Sequence, residues 1–345
     1  MNDFHHSSGE DYYDQVVNGQ YTIVKEPKTM KKILVVGGAG YVGGYLVDLL
    51  QENHDVTVYD NLLYEDSYYK KVNLIQGDVR NISDLGKDLN DYDVIVWLAA
   101  IVGDGACNVD TKITKEVNGS SLFWLVDNYN GKIIFTSTCS VYGEGSGVLV
   151  EKSEPKPLSL YAETKLAAER YIMKKCVDHL VFRLGTLHGS GDLFTRLRLD
   201  LVVNVLTYRA CLNKPLKVFG GEQWRPLLHV KDAGRAIEHG IEHELNGLYN
   251  LTDRNYQIKE IAEEIKKIIP STEIILEDMT FEDQRNYRAS GDKLYRDGFR
   301  IQYSLTDGIR DVKNIFNERR VKNPQDPLYY NIDYIKRLHE QGDFN

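Results

Sequence analysis

The stretch KILVVGGAGYVGGYLVDLLQENHDVTVYDN, residues 32–61, is the point from which the chain is read. Ile33 to Val36 is a short apolar run rich in β-branched residues, the pattern of a strand buried on both faces. Gly37-Gly38-Ala39-Gly40-Tyr41-Val42-Gly43 then breaks the run. From Tyr41 to Leu50 the apolar residues Val42, Leu46, Leu49 and Leu50 recur at helical spacing. Asp55 to Tyr59 is a second strand, and Asp60 stands at its end. Strand, glycine turn, helix, strand and acid make a βαβ unit of the kind that holds a dinucleotide.

Each residue type has a physical task. Gly37 lets the chain turn out of the strand, Gly40 lets a pyrophosphate approach the backbone, and Gly43 lets the helix pack close to the sheet. The helix N-terminus offers N–H groups and a positive dipole end to phosphate. The Asp60 carboxylate can accept both hydroxyls of an adenosine ribose, and it would repel a 2′-phosphate, so the pattern predicts NAD rather than NADP. The spacing is G-x-x-G-x-x-G, not G-x-G-x-x-G. The flanking strands, helix and acid are what make it specific.

Composition bounds the alternatives. The 345 residues are enough for two domains, or for one large α/β unit with a lobe. A net charge of −9 argues against a nucleic-acid surface and requires a local basic pocket for any anionic substrate. No apolar run approaches the length of a membrane span, and the N-terminus lacks a secretory pattern. Cys107, Cys139, Cys176 and Cys211 show no paired spacing and read as reduced thiols, so a cytoplasmic protein is expected. Residues 1–30 read as a polar, partly disordered extension. His5-His6 within it reads as a solvated pair, and no metal site is expected.

Strands are expected at 72–76, 94–98, 132–135 and 180–184, with helices over 113–128 and 158–176 between them. This alternation predicts a Rossmann-type doubly wound parallel sheet over residues 31–184. Residues 185–345 are expected to form mainly a smaller substrate lobe, interleaved with the last sheet elements. That part includes a helix over 193–212 carrying Arg196 and Arg198, which read equally as a solvated face or as phosphate contacts. Asp78, in the turn after the third strand, reads either as an adenine contact or as a turn aspartate. Ala99 and Ala100 are small enough to let backbone approach a ligand.

Tyr161 and Lys165, four apart on a helix, share a face. An ammonium beside a phenol favours the phenolate, which would make Tyr161 a general base near neutral pH. Thr138, in the hydroxyl run that ends the fifth strand, can hold the same substrate oxygen.

With these pieces in place, the chain resembles the extended short-chain dehydrogenase/reductase family of nucleotide-sugar epimerases and dehydratases. The matching segments are VGGAGYVGG at 36–44, YDN at 59–61, GDVR at 77–80, LAA at 98–100, TSTCSVYG at 136–143, YAETK at 161–165, FRLGTLHG at 182–189 and RPLLHVKDAGRAI at 225–237. The resemblance implies that Tyr161 takes a proton from the sugar 4-hydroxyl while hydride leaves C4 for NAD, with Lys165 and Thr138 assisting. It implies cofactor contacts at Gly37, Gly40, Tyr41, Val42, Asp60, Asn61, Asp78, Val79, Leu98, Ala99, Ala100, Asn118, Tyr161 and Lys165. For a nucleoside-diphosphate sugar it implies contacts at Thr138, Thr186, Arg225 and Arg285. It also implies a homodimer through the helices at 111–128 and 158–176.

Two departures narrow the reading. The 4,6-dehydratase branch has Asp-Glu after the threonine, where this chain has Cys139 and Ser140, so elimination of water is not expected. The Lys231-Asp232 pair, where the family's acid pair usually lies, reads as structural. The segments 196–210 and 283–288 also resemble a branch with nucleotide-heptose 4-dehydrogenases. Epimerase, net 4-dehydrogenase and keto-sugar reductase share the same Tyr, Lys and Thr. A non-catalytic dinucleotide-binding regulator would typically lack that pair.

Overall fold

A computed structural model describes residues 12–17, 20–25, 29–86, 88–278 and 286–343. Seven strands form one all-parallel sheet: β1 (Lys32–Val36), β2 (Asp55–Asp60), β3 (Asn73–Gln76), β4 (Val94–Trp97), β5 (Lys132–Thr138), β6 (His179–Leu184) and β7 (Gly247–Leu251). Their order is β7-β6-β5-β4-β1-β2-β3. The strand order reverses between β1 and β4, which opens a crevice at their carboxyl ends.

The alternation within β1 divides the core. Ile33 and Val35 enter an apolar cluster with Leu46, Leu50, Val58 and Phe182. Leu34 and Val36 enter another with Ile95, Trp97, Leu122 and Phe135 on the opposite face. A parallel sheet covered on both faces must be apolar on both, which is why these strands read as continuous hydrophobic runs. The helices α1 (Gly43–Leu50), α2 (Ser121–Asn128) and α3 (Leu160–Lys175) supply part of that cover.

A third apolar cluster unites α4 (Val202–Cys211), α5 (Ile258–Ile268) and α6 (Leu305–Asn317) through Val203, Leu206, Ile261, Ile265 and Ile309. Beside it lies a three-stranded sheet in which Trp224–His229 pairs with Thr186–His188 and Asn255–Gln257. The chain ends in α7 (Asn331–Gln341). Its Ile335 and Leu338 pack with Ile101, Cys107 and Tyr161, so the C-terminal segment returns to the mouth of the crevice.

Two expectations are corrected. The helix expected over 193–212 is confined to α4. Residues 196–200 instead run without helical structure, burying Leu197 and Leu199, and the Leu199 N–H donates to the Tyr329 carbonyl at 2.9 Å. The helix expected over 113–128 is interrupted by a π turn at Glu116–Ser120. Part of the N-terminal extension has regular backbone: Tyr12–Val17 pairs antiparallel with Gln20–Lys25. The sequence reading also missed β7, and the pairing of Glu144–Leu149 with Asn286–Ala289. His5-His6 lies outside the described residues. Among the described residues no helix is long and apolar enough to cross a membrane.

Candidate active site

The glycine turn is dictated by steric contact. Gly37 has φ +85°, and a Cβ there would lie 2.6 Å from the Ala99 nitrogen. A Cβ on Gly43 would lie 2.5 Å from the Gly37 carbonyl oxygen. At Gly40 a Cβ would meet only that same oxygen, at 3.3 Å, because its other side faces the crevice. Val42 offers α1 no side-chain cap; the Gly44 N–H donates to the Gly40 carbonyl at 2.9 Å, and the positive end of the helix is turned to the crevice, which Val42 and Gly43 line. A side chain at Gly40 would fill the space a pyrophosphate needs, and the residues present fit a dinucleotide.

Asp60 closes the adenosine end. Its carboxylate accepts the Ala39 N–H at 2.9 Å and the Leu62 N–H at 2.8 Å, which ties the glycine turn to the loop after β2. Burial raises its pKa and the two backbone bonds oppose that. Each oxygen retains a further lone pair for a ribose hydroxyl. Asp78 is a turn residue that also lines the crevice. It accepts the Arg80 N–H at 2.8 Å and pairs with the Arg80 guanidinium at 2.9 Å. Its pKa is lowered because the Arg80 bonds outweigh the opposing, larger single effect of burial. Asn61, Val79, Leu98, Ala99 and Ala100 line the same crevice.

At the other end, β5 and α3 bring Thr138, Tyr161 and Lys165 together. Thr138 ends β5, its hydroxyl accepts the Ser140 N–H at 3.1 Å, and it lies close enough to the Tyr161 phenol to favour its ionisation. Ser159 caps α3, its hydroxyl accepting the Ala162 N–H. The Lys165 ammonium lies 4.4 Å from the centroid of the Phe135 ring. Burial pushes its pKa down to about 7. Burial raises the Tyr161 phenol, while the Arg198 charge and the Thr138 hydrogen bond favour its ionisation. The expected lowering of the phenol by Lys165 is therefore corrected: desolvation dominates both groups.

Other expected site residues lie elsewhere. Asn118 is buried and pins the loop below the crevice, accepting the Ile101 N–H at 2.8 Å and donating to the Ile101 carbonyl at 2.9 Å. It is a positioning residue rather than a lining one. Thr186 pairs with Leu227 in the neighbouring sheet. Arg225, buried on the same sheet, donates to the Trp224 carbonyl at 2.8 Å. Neither lines the crevice. Arg285 lies outside the described residues. Cys139 is fully buried with its thiol on the Arg183 carbonyl, and the Ser140 hydroxyl meets Tyr287. Asp232 holds Arg235 and the Gln302 and Tyr303 N–H groups, a structural role as expected.

Sequence reasoning left Arg196 and Arg198 undecided and missed Asn331. All three line the crevice. Arg198 pairs with Asp200 at 2.8 Å. Arg196 stacks 3.8 Å over Tyr64, donates to the Leu328 carbonyl at 2.8 Å and bonds Asn331. Asn331 also donates to the Val102 carbonyl at 2.8 Å. A signal was present: R-L-R-L-D alternates with period two, the pattern of an extended segment with one buried face.

A glycine turn, a ribose-facing acid and a Tyr–Lys pair in one crevice, with Thr138 beside the phenol, match a known family. The model of the NAD dependent epimerase/dehydratase family covers residues 33–252. The chain belongs to this family. It is 27% identical over 309 residues to a putative UDP-glucose 4-epimerase of Methanocaldococcus jannaschii, covering 82% of this chain and 97% of that protein. It is 25% identical over 279 residues to a UDP-N-acetyl-alpha-D-glucosaminuronate decarboxylase of Bacillus cytotoxicus, covering 71% of this chain and 83% of that one. Among solved structures, a UDP-glucuronic acid 4-epimerase from Bacillus cereus, in complex with UDP-glucuronic acid and NAD, superposes with a TM-score of 0.72. That match is 26% identical and covers 83% of this chain and 99% of that one. About a sixth of this chain thus has no counterpart there. The protein is an NAD-dependent enzyme of the extended short-chain type on a Rossmann fold.

Proposed function

We propose that this enzyme oxidises C4 of a UDP-sugar and returns the hydride, acting as a 4-epimerase. The observation that carries the reading is the placement of Tyr161 and Lys165 in the crevice that also holds the glycine turn and Asp60, with Thr138 close to the Tyr161 phenol. A sugar oxygen placed between these two hydroxyls is oriented by Thr138 and loses its proton to Tyr161. Lys165, one turn further along α3, lines the same crevice; in its protonated form it adds positive charge at this end, against the desolvation that dominates the Tyr161 phenol. Asp60 and the glycine turn hold the adenosine and pyrophosphate ends. Bound NAD supplies the acceptor for the C4 hydride. Cys139 and Ser140, committed to the core, leave no acid–base pair for water elimination.

The assignment of NAD contacts to Asn61, Val79, Leu98, Ala99 and Ala100 is supported by their place around the crevice. Residues 185–345 serve mainly as the substrate lobe. The exposed flanks of α2 and α3, where Phe123 meets Tyr171 with ring centroids 4.5 Å apart, support a homodimer built from two helices of each subunit. The four free thiols support a place in the cytoplasm.

The test is incubation of the NAD-loaded protein with a panel of UDP-sugars, following NADH absorbance and product stereochemistry by NMR. Interconversion of C4 epimers without net NADH is expected. Stoichiometric NADH with a released keto sugar would favour net dehydrogenation, the second activity that the same three residues support. No oxidation of any nucleoside-diphosphate sugar by the folded, loaded protein would refute the proposal.

A further inference from the structure

The crevice contains a cation with no carboxylate in direct contact, Asp200 and Glu65 acting on it only at longer range. The Arg196 guanidinium is bonded to two neutral acceptors, the Leu328 carbonyl and the Asn331 side chain, and it stacks on Tyr64. No carboxylate of the described residues lies within ion-pair distance of it. Its neighbour Arg198 is neutralised by Asp200. Glu65 faces the same segment, but it accepts the Arg196 backbone N–H at 2.9 Å, and burial pushes its pKa up to about 7. A desolvated cation left unpaired is costly, and the cost is offset when a ligand brings the missing negative charge.

We propose that Arg196 is the diphosphate-binding cation of this crevice, and that the C-terminal segment aims it through Leu328 and Asn331. The planar guanidinium suits bidentate contact with phosphate oxygens. Its fork is held on one side by Leu328 and Asn331 and on its face by Tyr64, so its direction is fixed before a ligand arrives. Asn331 is nearly fully buried, and its Val102 and Asp200 contacts anchor it to the crevice wall. The family match ends at residue 252, and Leu328 and Asn331 lie well beyond it. Arg225, where the resemblance led us to expect the diphosphate contact, is not among the crevice residues. The proposal rests on the crevice being a site for NAD and a nucleotide sugar. Both ligands carry a diphosphate.

The experiment is titration calorimetry on the full chain: NAD into the protein, and UDP into the NAD-loaded protein. The proteins are wild type, Arg196→Gln, Arg196→Lys and Asn331→Asp, with thermal melts to establish folding. Arg196→Gln is expected to weaken one of the two ligands at least tenfold, and Arg196→Lys to recover part of the loss. Loss in the NAD arm assigns Arg196 to the cofactor diphosphate, and loss in the UDP arm assigns it to the sugar nucleotide. Asn331→Asp, nearly isosteric, hands Arg196 an internal carboxylate and should weaken the same ligand. Folded Arg196→Gln protein that binds both ligands within twofold of wild type overturns the proposal. Unchanged binding by Asn331→Asp overturns the aiming role of the C-terminal segment. Wild-type protein that binds neither ligand would instead refute the proposed function.

Discussion

Lys165→Met separates what the lysine does for chemistry from what it costs the fold. The methionine keeps an unbranched stem of similar length beside the Phe135 ring and removes the charge. In the folded protein the ammonium is buried and its pKa falls from 10.5 to about 7. Unfolding restores the higher value. Below pH 7 both states are protonated, and the burial penalty is in full force. Between about pH 7 and pH 10.5 the unfolded chain binds the extra proton, so wild-type stability rises with pH through this window. One pKa unit corresponds to about 1.4 kcal/mol. The stability of wild type relative to Lys165→Met should therefore rise by on the order of 3–4 kcal/mol from pH 7 to pH 10. Urea denaturation followed by circular dichroism, without added NAD, measures it at each pH. At pH 7 the variant should be at least as stable as wild type, although its turnover is impaired. A wild-type-minus-variant difference that stays constant within about 1 kcal/mol over that window would refute the reasoning.

Three further outcomes follow from the same contacts. Tyr161→Phe should lower turnover by roughly two to four orders of magnitude, the range of general acid–base catalysis, with NAD affinity retained in calorimetry. Asp60→Ala should narrow the preference for NAD over NADP, because it removes the charge that repels a 2′-phosphate; paired titrations of the two cofactors read this directly. Glu169→Leu should destabilise the fold by about 3–5 kcal/mol in urea melts, because it strands the buried Arg183, now paired with Glu169 at 2.7 Å.

The Rossmann half was legible because its signals are local. The β1 run, the glycine turn and the Tyr161–Lys165 spacing each need only a few neighbouring residues to be read. Strand β7, GLYNL, is short and has a single polar Asn250 buried inside it, so nothing in its period distinguishes it from a loop. Glu144–Leu149 contains two glycines and is a strand only because Asn286–Ala289 lies beside it. The burial of Lys165 was not legible either. Spacing puts it on one face with Tyr161, but only packing shows that this face is dry.

The C-terminal wall of the site marks where local reading fails. Asn331 meets Arg196 across 135 residues of chain and Val102 across 229. No window of sequence contains those pairs, and the asparagine itself is an ordinary helix-start residue. Arg196 was undecided for a related reason. The leucines around it fit a helical period about as well as an extended one. What decided between them was Tyr329, whose carbonyl takes the Leu199 N–H and keeps the segment from coiling. This irregular backbone then places Arg196 and Arg198 on the crevice and buries Leu197 and Leu199. The catalytic end of the crevice is thus encoded by motifs, and its charge balance by contacts between distant segments. Substitutions at Asn331, remote from every motif, are therefore expected to act on ligand affinity through Arg196, with the Tyr161 chemistry left in place.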